Sequence, residues 1–327
     1  MKNRIPHPTR RILAACLLLA PFVAQAQAPG AYPTREVRLV VPWGAGGSVD
    51  IIGRRLAKIA EADGLRMLVD NQPGASGSIG LAKVAAAHPD GYTLGVATTS
   101  QQALVAQGMT KTRNDQFTYL NQLAVEQFVL LVPAKGPAQT LPVFLKMMKD
   151  RPGKVSIAIA GSNNVPQILG ATMARTQGVD YIPVAYNGGA KAIMDLAGEQ
   201  VDASILKPSE AKGQLDAGLV KAIGVYSDKR LPSMPNVPTF AELGLDMFPD
   251  GPLVQTTYMV GPAGMPPEVV ARLNTVFTKA MATAEYRRFA EENEFSATNI
   301  QGAALKKQID ELQTTLDRVA PKIFKKE

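Results

Sequence analysis

Cysteine and histidine are nearly missing from this chain. Its 327 residues contain one cysteine, Cys16, and two histidines, His7 and His88. Disulfides are excluded, as are zinc sites built from sets of cysteine and histidine ligands. A Ser–His–Asp triad would depend on His88. That residue lies in Ala87-His88-Pro89-Asp90-Gly91, a helix-ending turn where a solvated imidazole is expected. No Gly-Lys-Ser/Thr sequence follows a glycine loop, so there is no P-loop. No apolar run is long enough to cross a bilayer. No cofactor and no metal is expected, and an enzyme is the less favoured reading, since only His88 and scattered carboxylates are left for one.

The start of the chain reads as a cleaved export leader spanning 1–26. Lys2, Arg4, Arg10 and Arg11 form a basic region, Ile12 to Val23 is a short apolar run, and Ala24-Gln25-Ala26 is a small-x-small cleavage site. Cleavage is expected after Ala26, which places the mature protein in the periplasm. Arg10-Arg11 leaves twin-arginine export open beside the general route. Cys16 follows the basic residues too closely for a lipoprotein box and reads as an apolar leader residue. The formal charge of +7 loses four basic residues with the leader and becomes +3. Nothing resembles a basic stripe for nucleic acid.

Strands and helices then alternate. Val37 to Val41 is a strand run. The glycine loop Pro42-Trp43-Gly44-Ala45-Gly46-Gly47-Ser48 follows, and Ile52, Leu56 and Ile59 continue at helical spacing. Strand runs at Met67–Val69 and Tyr92–Ala97 flank a helix over Ile79–Ala87. The second of these strands runs into Thr98-Thr99-Ser100. Tyr119–Val132 holds two strand runs that cross between lobes. The pattern then restarts, with strands at Val155–Ala160, Tyr181–Ala185, Ala203–Leu206 and Val220–Val225 separated by helices. Segment 228–252 reads as loop, apart from a capping box Thr239-Phe240-Ala241-Glu242 and a stop at Gly244. A strand Thr256–Val260, a helix with Val269, Leu273, Val276 and Ala280 inward, and a last helix with a Leu305, Ile309, Leu312, Leu316, Val319, Ile323 stripe complete the chain. The fold class is α/β with two lobes, each a mostly parallel sheet flanked by helices. Lobe 1 is expected from 27–125 and 226–327, and lobe 2 from 126–225, with the ligand cleft between them.

Two loops carry the chemistry. A glycine loop between strand and helix turns backbone N–H groups toward an anion at the positive end of the helix. Gly46, Gly47 and Ser48 hold this place in the first half. Gly161, Ser162, Asn163 and Asn164 hold it in the second. Two such loops facing each other suit a molecule with one or two carboxylates. Gly44-Ala45-Gly46 begins like a dinucleotide fingerprint, but Val49 stands at the third glycine position.

Motifs along the whole mature chain resemble the tripartite tricarboxylate transporter substrate-binding family, the Bug-type receptors. They are Tyr32-Pro33-Thr34-Arg35, Val40-Val41-Pro42-Trp43-Gly44-Ala45-Gly46-Gly47-Ser48, Asn71-Gln72-Pro73-Gly74-Ala75, Pro89-Asp90-Gly91-Tyr92, Pro152-Gly153-Lys154, Ala160-Gly161-Ser162, Val184-Ala185-Tyr186-Asn187-Gly188-Gly189, Val237-Pro238-Thr239 and Gly261-Pro262-Ala263-Gly264. The resemblance implies a two-lobed, type II-like periplasmic binding fold that closes on a small organic acid, a mono- or dicarboxylate. It implies delivery to an integral-membrane permease of two subunits. A membrane sensor is the alternative partner, and the chain is expected to act as a monomer. By the same resemblance, the ligand-binding roles fall on Gly46, Gly47, Ser48 and Asp50, on Thr98, Thr99 and Ser100, on Gly161, Ser162, Asn163, Asn164 and Gln167, and on Tyr186 and Gly188. Trp43 replaces the family's usual phenylalanine and offers a face for an aromatic acid, or else a packed rim. Asn187 replaces a usual lysine. Lys207, after the strand Ala203–Leu206, has two readings, one facing the cleft and one at the surface, and the surface is the expected one.

Overall fold

The structure is a computed structural model describing Met1 and residues 32–324. The leader, with Cys16 and the Ala24–Ala26 cleavage site, lies outside the described residues, as do Lys325 and Lys326.

Among the described residues ten strands run β1 Val37–Val41, β2 Met67–Asn71, β3 Thr93–Thr98, β4 Phe117–Glu126, β5 Phe128–Pro133, β6 Ser156–Ala160, β7 Ile182–Tyr186, β8 Ala203–Leu206, β9 Val220–Tyr226 and β10 Gln255–Pro262. The α-helices are α1 Ser48–Ala60, α2 Ser78–Ala85, α3 Ser100–Ala106, α4 Leu141–Asp150, α5 Val165–Gln177, α6 Gly189–Ala197, α7 Pro208–Asp216, α8 Pro267–Ala282, α9 Ala284–Glu292 and α10 Gly302–Phe324. Among the described residues, no helix is long and apolar enough to cross a membrane.

The strands form two five-stranded sheets, in the orders β2-β1-β3-β10-β4 and β7-β6-β8-β5-β9. In each, three parallel strands come from the βαβαβ pattern, and a fourth lies antiparallel between the third and the fifth. The inserted strand is donated by a crossing segment. β5 enters the second sheet directly after β4, and β10 returns to the first after β9. A sheet read as mostly parallel therefore carries one reversed strand, because a chain that crosses the seam enters the other sheet running backwards.

Each sheet is covered on both faces. In the first lobe Ile52, Leu56 and Ile59 of α1 and Leu273 and Val276 of α8 bury one face. Leu81 and Val84 of α2 and Leu305 and Ile309 of α10 bury the other. This two-sided cover is why β1, after the exposed Arg38, runs Leu39-Val40-Val41 without alternating. In the second lobe α4 and α5 cover one face, and α6 and α7 the other. The α10 stripe is split. Leu305, Ile309 and Leu312 belong to the first core, whereas Leu316 and Val319 pack with Phe144, Leu169 and Phe240 of the second. At 23 residues the helix is about 35 Å long, enough to brace both lobes.

The capping box expected at residue 239 is present. Glu242 N–H donates to Thr239 Oγ1 at 3.2 Å, Thr239 N–H donates to Glu242 Oε1 at 3.4 Å, and Gly244 ends the turn. Helix α9 carries Glu291 and Glu292 exposed at its end. Thr283 starts it by accepting from Tyr286 N–H at 3.1 Å.

Candidate ligand-binding cleft

The starts of α1, α3, α6 and α7 converge on a small cavity at the seam between the sheets. Its walls include Trp43, Gly47, Ser48, Ser100, Phe128, Gly188, Gly189, Lys207, Glu210 and Gln255, and it has about 20 Å³ of room. That is little more than one water. Contacts between loops of the two lobes close it. Gly44 N–H donates to Asn187 O at 3.2 Å, Ser162 N–H donates to Ser76 Oγ at 2.9 Å, and Gln107 Nε2 donates to Asn163 O at 2.8 Å.

The first loop is held open by its own staple. Gly46 adopts φ 78°, a left-handed conformation that glycine takes without a side-chain penalty. This turns its N–H onto Asp50 Oδ2 at 2.9 Å. Asp50 also accepts from Arg54 Nε at 3.0 Å and Asn71 Nδ2 at 2.8 Å. Burial alone would raise its carboxyl, but the Arg54, Gly46 and Asn71 hydrogen bonds outweigh that and hold it below the usual value. Asp50 thus shapes the loop and has no oxygen left for a ligand. Beyond it, the Ser48 and Val49 amides in the first turn of α1 have no acceptor among the described residues. These are the amides that an anion needs.

Thr98, Thr99 and Ser100 are all buried. Thr99 is spent on the fold, since its Oγ1 accepts from Thr256 N–H at 2.9 Å. Ser100 lines the cavity, and its hydroxyl donates to Gln255 Oε1 at 3.3 Å.

The second loop is closed upon itself. Asn163 N–H donates to Gln167 Oε1 at 2.6 Å, Gln167 N–H to Asn164 Oδ1 at 3.4 Å, and Gly161 N–H to Tyr186 O at 2.7 Å. Gly161, Ser162 and Tyr186 line a separate shallow depression with Trp43 and Ser76. The Tyr186 hydroxyl donates to Asp195 at 2.9 Å. In the second lobe the Gly189 and Ala190 amides, which open α6 behind Gly188, also lack an acceptor among the described residues. Of the residues read from sequence, the cavity therefore gathers Trp43, Gly47, Ser48, Ser100 and Gly188. It leaves Gly46, Asp50, Thr98, Thr99, Gly161, Ser162, Asn163, Asn164, Gln167 and Tyr186 outside its walls.

Lys207 corrects the surface expectation, because it is only 5% exposed and lines the cavity. Its ammonium lies 3.4 Å from Glu210 Oε1 and 3.9 Å from Glu126 Oε2. Glu126, at the end of β4, is 1% exposed. It accepts from Ser48 Oγ at 2.7 Å on one side of the seam and from Ser209 Oγ on the other. Burial pushes its carboxyl up, and Lys207 and the two hydroxyls offset this only in part. The sequence did carry a sign of this cluster. Glu126 interrupts the apolar run Leu123 to Leu131, and Pro208 with Glu210 marks a helix start just after a buried strand. His88 is exposed and is not among the cavity walls. Among the described residues, no group of three or more histidine, cysteine or acidic side chains is placed to hold a metal.

Comparison with known proteins gives consistent results. The model of the tripartite tricarboxylate transporter family receptor matches residues 52–324. The UPF0065 protein in the tcbD-tcbE intergenic region of Pseudomonas sp. strain P51 is 34% identical over 284 residues, 84% of this chain and 83% of that protein. The periplasmic binding protein BugD superposes with a TM-score of 0.84 at 26% identity, covering 89% of this chain and 98% of BugD. MatC from Rhodopseudomonas palustris, solved with bound malate, superposes with a TM-score of 0.82 at 28% identity, covering 88% of this chain and all of MatC.

Proposed function

The chain belongs to the tripartite tricarboxylate transporter receptor family, and on that premise we propose that it captures a small organic acid in the periplasm and hands it to a membrane permease. It is a solute-binding protein, as its family and structural neighbours are. The observation that carries the acid reading is the pair of helix starts, α1 at Ser48–Val49 and α6 at Gly189–Ala190, whose amides lack acceptors and meet across one seam. Such amides at positive helix ends hold a carboxylate without any charged side chain. Malate bound to MatC supports the same ligand chemistry. The lobes swing about the β4–β5 crossing near Glu126 and the return from β9 to β10, because the present cavity admits nothing larger than a water.

A ligand that binds only the folded state adds about 2.7 kcal/mol at a hundredfold excess over Kd. At roughly 2–4 °C per kcal/mol, a stabilising acid raises the melting temperature by several degrees. The test is a thermal-shift screen of mono- and dicarboxylates on protein freed of carried-over ligand by unfolding and refolding. A broad panel with no shift would defeat the proposal. Export with cleavage after Ala26 is part of the same proposal. N-terminal sequencing of periplasmic protein should begin at Gln27, and recovery of cytoplasmic material starting at Met1 would contradict it.

A further inference from the structure

Ser76 bonds across the seam in a way that the other loop contacts do not. Its hydroxyl accepts from Ser162 N–H at 2.9 Å and donates to Ser162 O at 2.5 Å. One side chain of the first lobe thus takes both backbone groups of one residue of the second. The Gly44–Asn187 and Gln107–Asn163 contacts each supply a single bond across the seam. Both sides are shaped for the Ser76 contact. Ser76 is 6% exposed and stands at φ 49° and ψ 36°, a left-handed conformation that a residue with a side chain adopts at a cost in backbone energy. Gly161, at φ 81°, supplies the room, since an added Cβ there would lie 2.6 Å from Ser76 Oγ. The loop behind it is braced, with Asn164 Nδ2 donating to Ala160 O at 2.6 Å, so Ser162 is presented from a fixed frame.

The contact stands beside the cavity. Trp43 walls the cavity, and it also lines the depression that Ser76, Gly161 and Ser162 share. With the lobes bonded at this distance the cavity has about 20 Å³ of room, which takes a water and not a carboxylic acid. The form held by Ser76 and a form that encloses an acid are therefore two different positions of the lobes.

Resting on the capture of an acid argued above, we propose that Ser76 is a self-closing latch. Its two bonds to Ser162 stabilise a shut form that admits no ligand, and they thereby set the affinity for the acid. An acid meets only the fraction of molecules in which the latch is open, and the apparent Kd is the intrinsic one divided by that fraction. A net hydrogen bond shifts such an equilibrium by about two- to tenfold. Losing both raises the open fraction by about fivefold or more wherever the shut form predominates. Acid then binds faster. Its departure is untouched, because the latch bonds are not made in the ligand-bound position.

Stopped-flow binding by Ser76→Ala and Ser76→Gly tests this. Malate and adipate are the probes, and the signal is the fluorescence of Trp43, the chain's one tryptophan. Alanine keeps the left-handed strain and loses the hydroxyl, whereas glycine loses both, so an effect shared by the two belongs to the hydroxyl. Small-angle X-ray scattering without acid reads the lobe separation, and circular dichroism checks the fold. Both variants should have a larger radius of gyration than wild type. They should bind about fivefold or more tightly, through a faster on-rate with the off-rate unchanged. The proposal is overturned if both variants are as compact as wild type, or if their on-rate is unchanged. It is equally overturned if dissociation quickens, which would put the latch bonds in the ligand-bound form. If neither probe binds, scattering alone decides the latch, and the broader acid screen decides the carboxylate reading, so the two failures are distinguishable.

Discussion

Gly47→Val should weaken binding of the captured acid by about a hundredfold or more while leaving the protein folded. Gly47 caps α1 at φ −79° and ψ 166°, an extended conformation that valine accepts. A Cβ there would meet only ordinary contacts, Gly44 O at 3.5 Å and Gly189 N at 3.8 Å. The branched methyls would instead fill the space between the starts of α1 and α6 and keep a carboxylate from the Ser48 and Val49 amides. Hydrogen bonds to a charged group contribute roughly 1.5–3 kcal/mol each, so losing two costs about 3–6 kcal/mol. Ser162→Ala is the control. The sequence places Ser162 on an equal footing with Gly47, but its side chain is exposed and its hydroxyl has no partner among the described residues. Its replacement should change affinity no more than a few-fold, on the scale of a surface change. Titration of both variants decides the matter. Unchanged affinity in folded Gly47→Val would reduce the first loop to a packing turn.

Lys207→Met should be the most destabilising change in the cleft. It leaves Glu126 and Glu210 buried without a cation, and breaking a buried pair from one side costs about 3–5 kcal/mol. The pH dependence has a defined sign. Burial raises the Glu126 carboxyl above the ordinary 4.5, so the folded state holds this proton more tightly than the unfolded chain does. The stability from this group is fully present below that ordinary value. It is lost as pH rises through the raised folded value. Removing Lys207 deepens the loss at neutral pH, but a protonated glutamic acid needs no cation. The deficit of Lys207→Met should therefore shrink as pH falls toward 4.5. Glu126→Gln in the same background should restore part of it. Urea unfolding across a pH series measures this, and a deficit that does not vary with pH would show that Lys207 contributes packing and not charge.

Much of this protein is written locally. Hydrophobic runs such as Val37–Val41, the three- and four-residue spacing of Val269, Leu273 and Val276, and the Thr239–Glu242 cap all depend on neighbours within a few residues. They could be read from the sequence, together with the two lobes and the helix-opening loop at Gly47 and Ser48. The tertiary structure decided which backbone amides stay open. The 161–167 loop has the same composition as an anion site, yet Ser76 and Gln167 take up its Ser162 and Asn163 amides, and Ser76 arrives from 86 residues away. Open amides lie at Gly189 and Ala190, directly behind the Gly188 that the motif marked. Tertiary structure also buried Lys207. An isolated lysine after a strand belongs in water, but the end of β4 carries Glu126 to it across the seam. Hydrogen-bond demand is local and predicts elements, whereas the pairing of charges depends on which distant elements the fold brings into contact.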